Sequence, residues 1–227
     1  MKKIFTLIAV AVMAINANAQ KIEWTVDDLT SAGTLDGKTF EKDGFILTIT
    51  DSDGKVAIDE NSAWFGTADS QAKSAGGRLK SGGKSSSKNQ MKLTIPAAGT
   101  LKVYARTGSN SAKDRTLVLT QGETELYNKV VQEADAVKVK GLDESDPDKE
   151  TNVYPVISVE VAAGDVIVTY PIGSMNFYGF ELASGTTGIN NVKVAAENGA
   201  IYNLAGQKVS ENYKGVVIKN GQKMIQK

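Results

Sequence analysis

The sequence has no cysteine and no histidine. Without cysteine there is no disulfide framework, no thiol nucleophile and no thiolate-ligated metal. Without histidine there is no Ser-His-Asp triad, and the common zinc sites are gone. The sequence is therefore a poor candidate for most hydrolase chemistry. Charge of either sign is also lacking in excess: 26 basic and 26 acidic residues cancel. Residues 1–19 hold Lys2 and Lys3 and no acid, so the remainder carries 24 basic and 26 acidic residues, net −2. That balance gives no basic field for nucleic acid and no acidic excess to keep the chain unfolded. Beyond the first 19 residues no apolar run is long enough to span a bilayer, and no cofactor motif or metal-ligand set is present.

What the chain does have is alternation. Met91, Leu93 and Ile95 fall on one face, with Lys92 and Thr94 on the other. After a Pro-Ala-Ala-Gly turn, Leu101, Val103 and Ala105 point one way, while Lys102, Tyr104 and Arg106 point the other. Period-two alternation of this kind predicts antiparallel strands with one face in a core and the other in water. The phrase returns: PAAGTLKVY (96–104) is echoed by VAAGDVIVTY (161–170). Each reads as a hairpin, with Gly99 and Gly164 supplying positive φ at the turn. Phe45, Leu47 and Ile49 add a further inward row, and Ile157, Val159 and Val161 another. Tyr178, Phe180 and Leu182 close the domain, and Trp24 and Phe177 also read as core. No amphipathic helix appears, so the fold class is all-β, an antiparallel β-sandwich.

At the N-terminus, two lysines, an apolar run and Ala17-Asn18-Ala19 predict a secretory signal peptide over residues 1–19, cut before Gln20. The sandwich is expected over 20–184. Composition shifts to a linker at Ala183–Gly188, and residues 185–227 form a linker and a small β module. Its Asn220-Gly221 pair, set between two apolar runs, predicts a two-residue hairpin. Such a chain is secreted or held at the cell surface.

Several stretches invite a functional reading. Asp51 and Asp53 with Gly54 resemble part of a calcium loop but lack its further ligands, and a hairpin turn is the plainer reading. Asp143 to Glu150 puts five carboxylates in eight residues, read as a solvated loop with no tight calcium site. Gly77 to Ser85 matches a phosphate loop with one residue inserted and without the βαβ setting that motif requires. The three arginines, Arg78, Arg106 and Arg115, cluster in residues 78–115. With Lys80 they offer cations for acidic groups. Trp64, Phe65, Tyr104 and Tyr178 are the aromatics that would face a sugar, and Tyr104 shares its strand face with Arg106.

IPAAGTLKVYARTGSNSAKDRTLVL (95–119) resembles the mid-domain hairpin of galactose-binding-like β-sandwiches, including non-catalytic carbohydrate-binding modules. AAGDVIVTYPIGSMNFYGFEL (162–182) is similar to the last two strands of that jelly-roll fold. The resemblance implies polysaccharide binding over residues 22–183. The arginines would then favour an acidic glycan such as pectin. Two alternatives stand beside this reading: a cell-surface scaffold for protein contacts, and a polysaccharide lyase. IYNLAGQKV (201–209) and GVVIKNGQKMIQK (215–227) resemble the C-terminal modules of proteins exported by type IX secretion. Val217 stands where those modules carry an aromatic. The resemblance implies secretion machinery as a partner through residues 186–227.

Overall fold

The computed structural model of the chain describes residues 19–184, 201–203, 207–210, 212–219 and 222–226. Residues 1–18 of the predicted leader, most of the predicted linker, and Asn220 and Gly221 lie outside the described residues. The chain divides into two compact units, Met1–Gly185 and Thr186–Lys227. Among the described residues the regular structure is strand, apart from two short 3-10 turns.

The first unit is a sandwich of two six-stranded antiparallel sheets. Sheet A holds β1 (Ala19–Glu23), β4 (Ala57–Glu60), β7 (Gly77–Lys80), β9 (Gly99–Thr107), β14 (Ile157–Val161) and β16 (Met175–Ser184). Its order is β14-β9-β16-β7-β4, with β1 also paired to β16. Sheet B holds β2 (Thr39–Lys42), β3 (Phe45–Asp51), β8 (Asn89–Ile95), β10 (Thr116–Gln121), β11 (Thr124–Val130) and β15 (Gly164–Thr169). It runs β11-β10-β15-β8-β3-β2. The inward rows are those that alternation marks. Phe45, Leu47, Ile49, Met91, Leu93, Leu101, Val103, Phe177 and Phe180 are all at most 1% exposed and share one core. Each such side chain contributes about 1.5–3 kcal/mol relative to leaving it in water. Trp24 is fully buried, edge-on to Phe40 and Phe180 at 5.8 and 6.4 Å.

The repeated phrase corrects the expectation of hairpins. β8 lies in sheet B and β9 in sheet A, so the first Ala-Ala-Gly turn is an arch across the sandwich. The second, from β14 to β15, crosses in the opposite direction. The two arches lie side by side, because Gly99 pairs with Val161 in one sheet and Ile95 with Gly164 in the other. Gly164 has φ +125°, whereas Gly99 is not among the positive-φ residues. Gln121 clamps the second arch, donating from Nε2 to the Ala162 carbonyl (2.8 Å) and accepting the Ala162 N–H (3.0 Å). Asp51 to Gly54 is likewise a crossing between sheets, from β3 to β4, and not a hairpin. The buried Asp51 carboxylate holds that crossing by accepting from the N–H groups of Lys55 (2.7 Å) and Val56 (3.0 Å).

A third sheet also departs from the sequence reading. β5 (Trp64–Gly66), β6 (Gln71–Lys73), β12 (Val137–Val139) and β13 (Thr151–Tyr154) form a four-stranded sheet C, ordered β12-β13-β5-β6, in which β13 and β5 are parallel. Its residues Phe65 and Tyr154 cluster with Tyr104 of β9 and Tyr178 of β16. The outer face of sheet A is therefore covered here and does not meet water.

The second unit is a small sheet D: β17 (Ile201–Asn203), β18 (Lys208–Val209), β19 (Gly215–Lys219) and β20 (Gln222–Gln226), ordered β18-β17-β19-β20. Lys219 pairs with Gln222, so β19 and β20 are joined by the two-residue connection that the Asn-Gly pair predicts.

Candidate functional site

The site grows out of the covered face of sheet A. In β16 the pairing with β9 shifts between Phe177 and Gly179, a bulge that adds one residue. A bulge reverses which way the following side chains point. Phe177 and Phe180 both enter the core, and Tyr178 between them turns outward. Phe65 sits against three rings, 5.6 Å from Tyr104, 6.0 Å from Tyr154 and 5.3 Å from Tyr178. Each tyrosine hydroxyl donates to a side chain: Tyr104 to Glu181 (2.7 Å), Tyr178 to Asn61 (2.8 Å) and Tyr154 to Glu133 (2.5 Å). Burial and the neighbouring Glu133 carboxylate push the Tyr154 phenol up to about 12. Burial, with Glu181 beside it, raises Tyr104 further, and burial also raises Tyr178.

At the rim of this cluster, Glu133 and Arg106 face each other. One Glu133 oxygen accepts from Tyr154 and from Asn152 (2.9 Å), and the other lies 3.5 Å from the Arg106 guanidinium. Arg106 lies over the Tyr154 ring, 4.8 Å from its centroid, and donates to Asn110 (2.7 Å). Its guanidinium is thus engaged within the protein, although its Nε and the facing Glu133 oxygen are buried without a hydrogen-bond partner.

Above them opens a cleft of about 890 Å³. One wall is β5, whose alternation sends Phe65 inward and leaves Trp64 half-buried on the opposite side. Trp64 stands directly across from Lys73 of β6. The other wall is the acidic loop, which is braced from within. The Gly141 N–H donates to the Pro147 carbonyl (3.0 Å), and the Asp143 carboxylate accepts from Ser145 Oγ (2.6 Å) and Lys149 Nζ (2.7 Å). The bond from Lys149 holds the Asp143 carboxyl well below the usual carboxylate range. Lys73, Arg106 and Lys149 line the cleft against Glu133, Asp143, Glu144 and Glu150, three cations to four carboxylates. Among the described residues no three acidic side chains gather into a metal site.

Of the residues that the sequence nominates, Trp64 and Arg106 reach this cleft. Phe65, Tyr104 and Tyr178, 1%, 8% and 1% exposed, pack together between sheets A and C and present no ring to a ligand. Arg78 grips Asp59 with two hydrogen bonds, 2.9 and 2.7 Å, and Lys80 reaches the same carboxylate at 3.0 Å. Burial opposes ionisation of Asp59, but these two cations outweigh it and lower its pKa. The Arg115 guanidinium abuts Gly173, where an added Cβ would fall 0.9 Å from it. Glu133, Asn152, Tyr154 and Lys73 were not foreseen. Lys73, Asn152 and Tyr154 lie on strands of three and four residues and Glu133 in a three-residue 3-10 turn, all too short to show a periodicity that would reveal them.

The sequence matches no family model and no curated protein. Among solved structures, the chain is similar to the K1 cleaved adhesin domain of Lys-gingipain from Porphyromonas gingivalis. The identity is 10% and the TM-score 0.36, over 73% of this chain and 98% of that one. A structure reported under glycan recognition by the Ruminococcus flavefaciens cellulosome gives 12% identity and a TM-score of 0.35, over 74% of this chain and 95% of the other. The catalytic domain of a GH87 alpha-1,3-glucanase in complex with nigerose gives 7% and 0.31. There 61% of this chain covers 28% of that one. At these scores the likeness carries no inference about function, which rests on the chain's own geometry.

Proposed function

We propose that the sandwich is a non-catalytic glycan-binding module of an exported protein, and that its ligand is a neutral polysaccharide seated against Trp64. The observation that carries this reading is the 890 Å³ cleft, open to solvent, with a half-buried indole on one wall and hydrogen-bonding side chains on the other. An aromatic face meets the C–H face of a pyranose, and polar groups around it read the hydroxyls.

We favour a neutral ligand over an acidic one on two grounds. Two of the three arginines that favoured a uronic acid are engaged within the protein: Arg78 with Asp59, and Arg106 with Asn110 and, at 3.5 Å, Glu133. The wall facing Trp64 carries the carboxylates of the acidic loop, and a polyuronate chain there would meet like charge. Export through the leader and sorting or anchoring through residues 186–227 complete the proposal. Among the described residues no helix is long and apolar enough to cross a membrane.

Screening the chain from Ala19 onward against neutral and acidic glycans tests this reading. Binding to a neutral glycan, abolished by Trp64→Ala, supports it. Preferential binding to polygalacturonate, or binding indifferent to Trp64, overturns it.

A further inference from the structure

Sheet D carries an arrangement that a glycan cleft does not use. Its pairing register lines up Lys208, Tyr202, Ile218 and Lys223 as one row across the four strands. Residues opposite one another in a sheet project from the same face. Val216 and Ile225, two positions along β19 and β20, form a second row on that face. This face is outward: Ile225 is 74% exposed, Tyr202 38% and Ile218 37%. On the opposite face Ile201 (4%) and Val217 (0%) are buried, and Met224, across from Val217 on β20, is 41% exposed. In the first row of the outward face the apolar pair Tyr202 and Ile218 is flanked on both sides by lysine.

The charge of this segment is opposite to that of the sandwich. Residues 201–227 contain five lysines and one glutamate, net +4, whereas residues 19–184 contain 18 basic and 24 acidic residues, net −6. We propose that the exposed face of sheet D docks on an anionic lipid bilayer. Tyr202, Ile218 and Ile225 would enter the interfacial layer, and Lys223 would meet headgroup phosphates. Both ingredients of interfacial binding are present: apolar area to bury and a net-positive segment facing an anionic surface. A soluble polyanion would leave the isoleucines unused. A second copy of the same face would set two net-positive surfaces together.

The test uses the chain from Ala19 to Lys227, which keeps every described strand. It is sedimented with vesicles of phosphatidylglycerol and phosphatidylcholine in equal parts, or of phosphatidylcholine alone. The expected result is binding to the anionic vesicles and not to the neutral ones, released at ~1 M salt, where screening is nearly complete. Lys223→Glu and Ile225→Asp, both at exposed positions, should each weaken binding about tenfold or more. Lys38→Glu makes the same change of net charge on the sandwich and should leave binding unaltered. No sedimentation with anionic vesicles overturns the proposal. So does equal binding by Lys223→Glu and Ile225→Asp, or an equal loss with Lys38→Glu. Light scattering that shows a lipid-independent dimer, lost in Ile225→Asp, would instead assign the face to a second copy.

Discussion

Sheet A buries its inner face along its length and its outer face only where sheet C covers it, and the two are built from different chemistry. Inward, Leu79, Leu101, Val103, Phe177 and Phe180 meet the rows of sheet B in a core of apolar side chains drawn from both sheets. Outward, Tyr104 and Tyr178 meet Phe65 and Tyr154, and every tyrosine hydroxyl in that cluster is tied to a particular acceptor. A large apolar core sets overall stability and tolerates exchange of shape. A small aromatic cluster with fixed hydrogen bonds adds little stability but orients what lies above it. The inner face holds the fold together, and the outer face positions sheet C and the cleft.

The largest effect should come from the inner face. Phe177→Ala removes a fully buried ring and should cost about 3–5 kcal/mol, read as a lower urea midpoint with unchanged cooperativity. Phe65→Ala should cost less, about 2–3 kcal/mol, because sheet C relaxes around the loss. Amide exchange should then rise in Trp64–Gly66 and Thr151–Tyr154 while sheets A and B stay protected. Equal loss of protection throughout the first unit would erase the distinction between the two faces.

A pH effect separates them further. Burial raises the phenols of Tyr104, Tyr154 and Tyr178 above the usual 10.0. Folded tyrosines thus hold protons that the unfolded chain releases first. Their stabilising contribution is complete below pH 10 and is lost as pH rises above it. Tyr178→Phe should flatten that alkaline decline, measured as midpoint against pH. A decline as steep in Tyr178→Phe as in the wild type would contradict this assignment. In acid the sign reverses for Glu181. Burial opposes its ionisation, but Lys102 and Tyr104 outweigh it and depress its pKa, so its contribution fades as pH falls below 4.5. Tyr104→Phe removes one of those donors and should shift the onset of acid unfolding slightly upward. An unchanged onset would show that Lys102 alone holds Glu181.

Alternation made the inner face legible, because Met91, Leu93 and Ile95 or Leu101, Val103 and Ala105 need only a period of two to be assigned inward. It does not say which sheet a strand joins. A hairpin and an arch have the same inward rows, and the two Ala-Ala-Gly turns proved to be arches. It also fails at a bulge: Tyr178 shares alternation with Phe180, yet the extra residue in β16 turns Tyr178 outward. The outer face was misread because Lys102, Tyr104 and Arg106 look like a water-facing row. What covers Tyr104 is Phe65, from a strand of three residues that pairs in parallel with one nearly ninety positions away. Trp64 was nominated for the site on its residue type. Its orientation depends on Phe65 taking the inward position.

The most direct test of the glycan-binding reading is intrinsic fluorescence, since the chain has two tryptophans and they occupy opposite environments. Trp24 is wholly buried, so a sugar entering the cleft perturbs Trp64. Titration with a neutral glycan identified by the screen should shift the wild-type emission and leave Trp64→Ala unchanged, with binding lost and stability altered by about 0.5 kcal/mol or less. Unaltered affinity in Trp64→Ala would contradict the account.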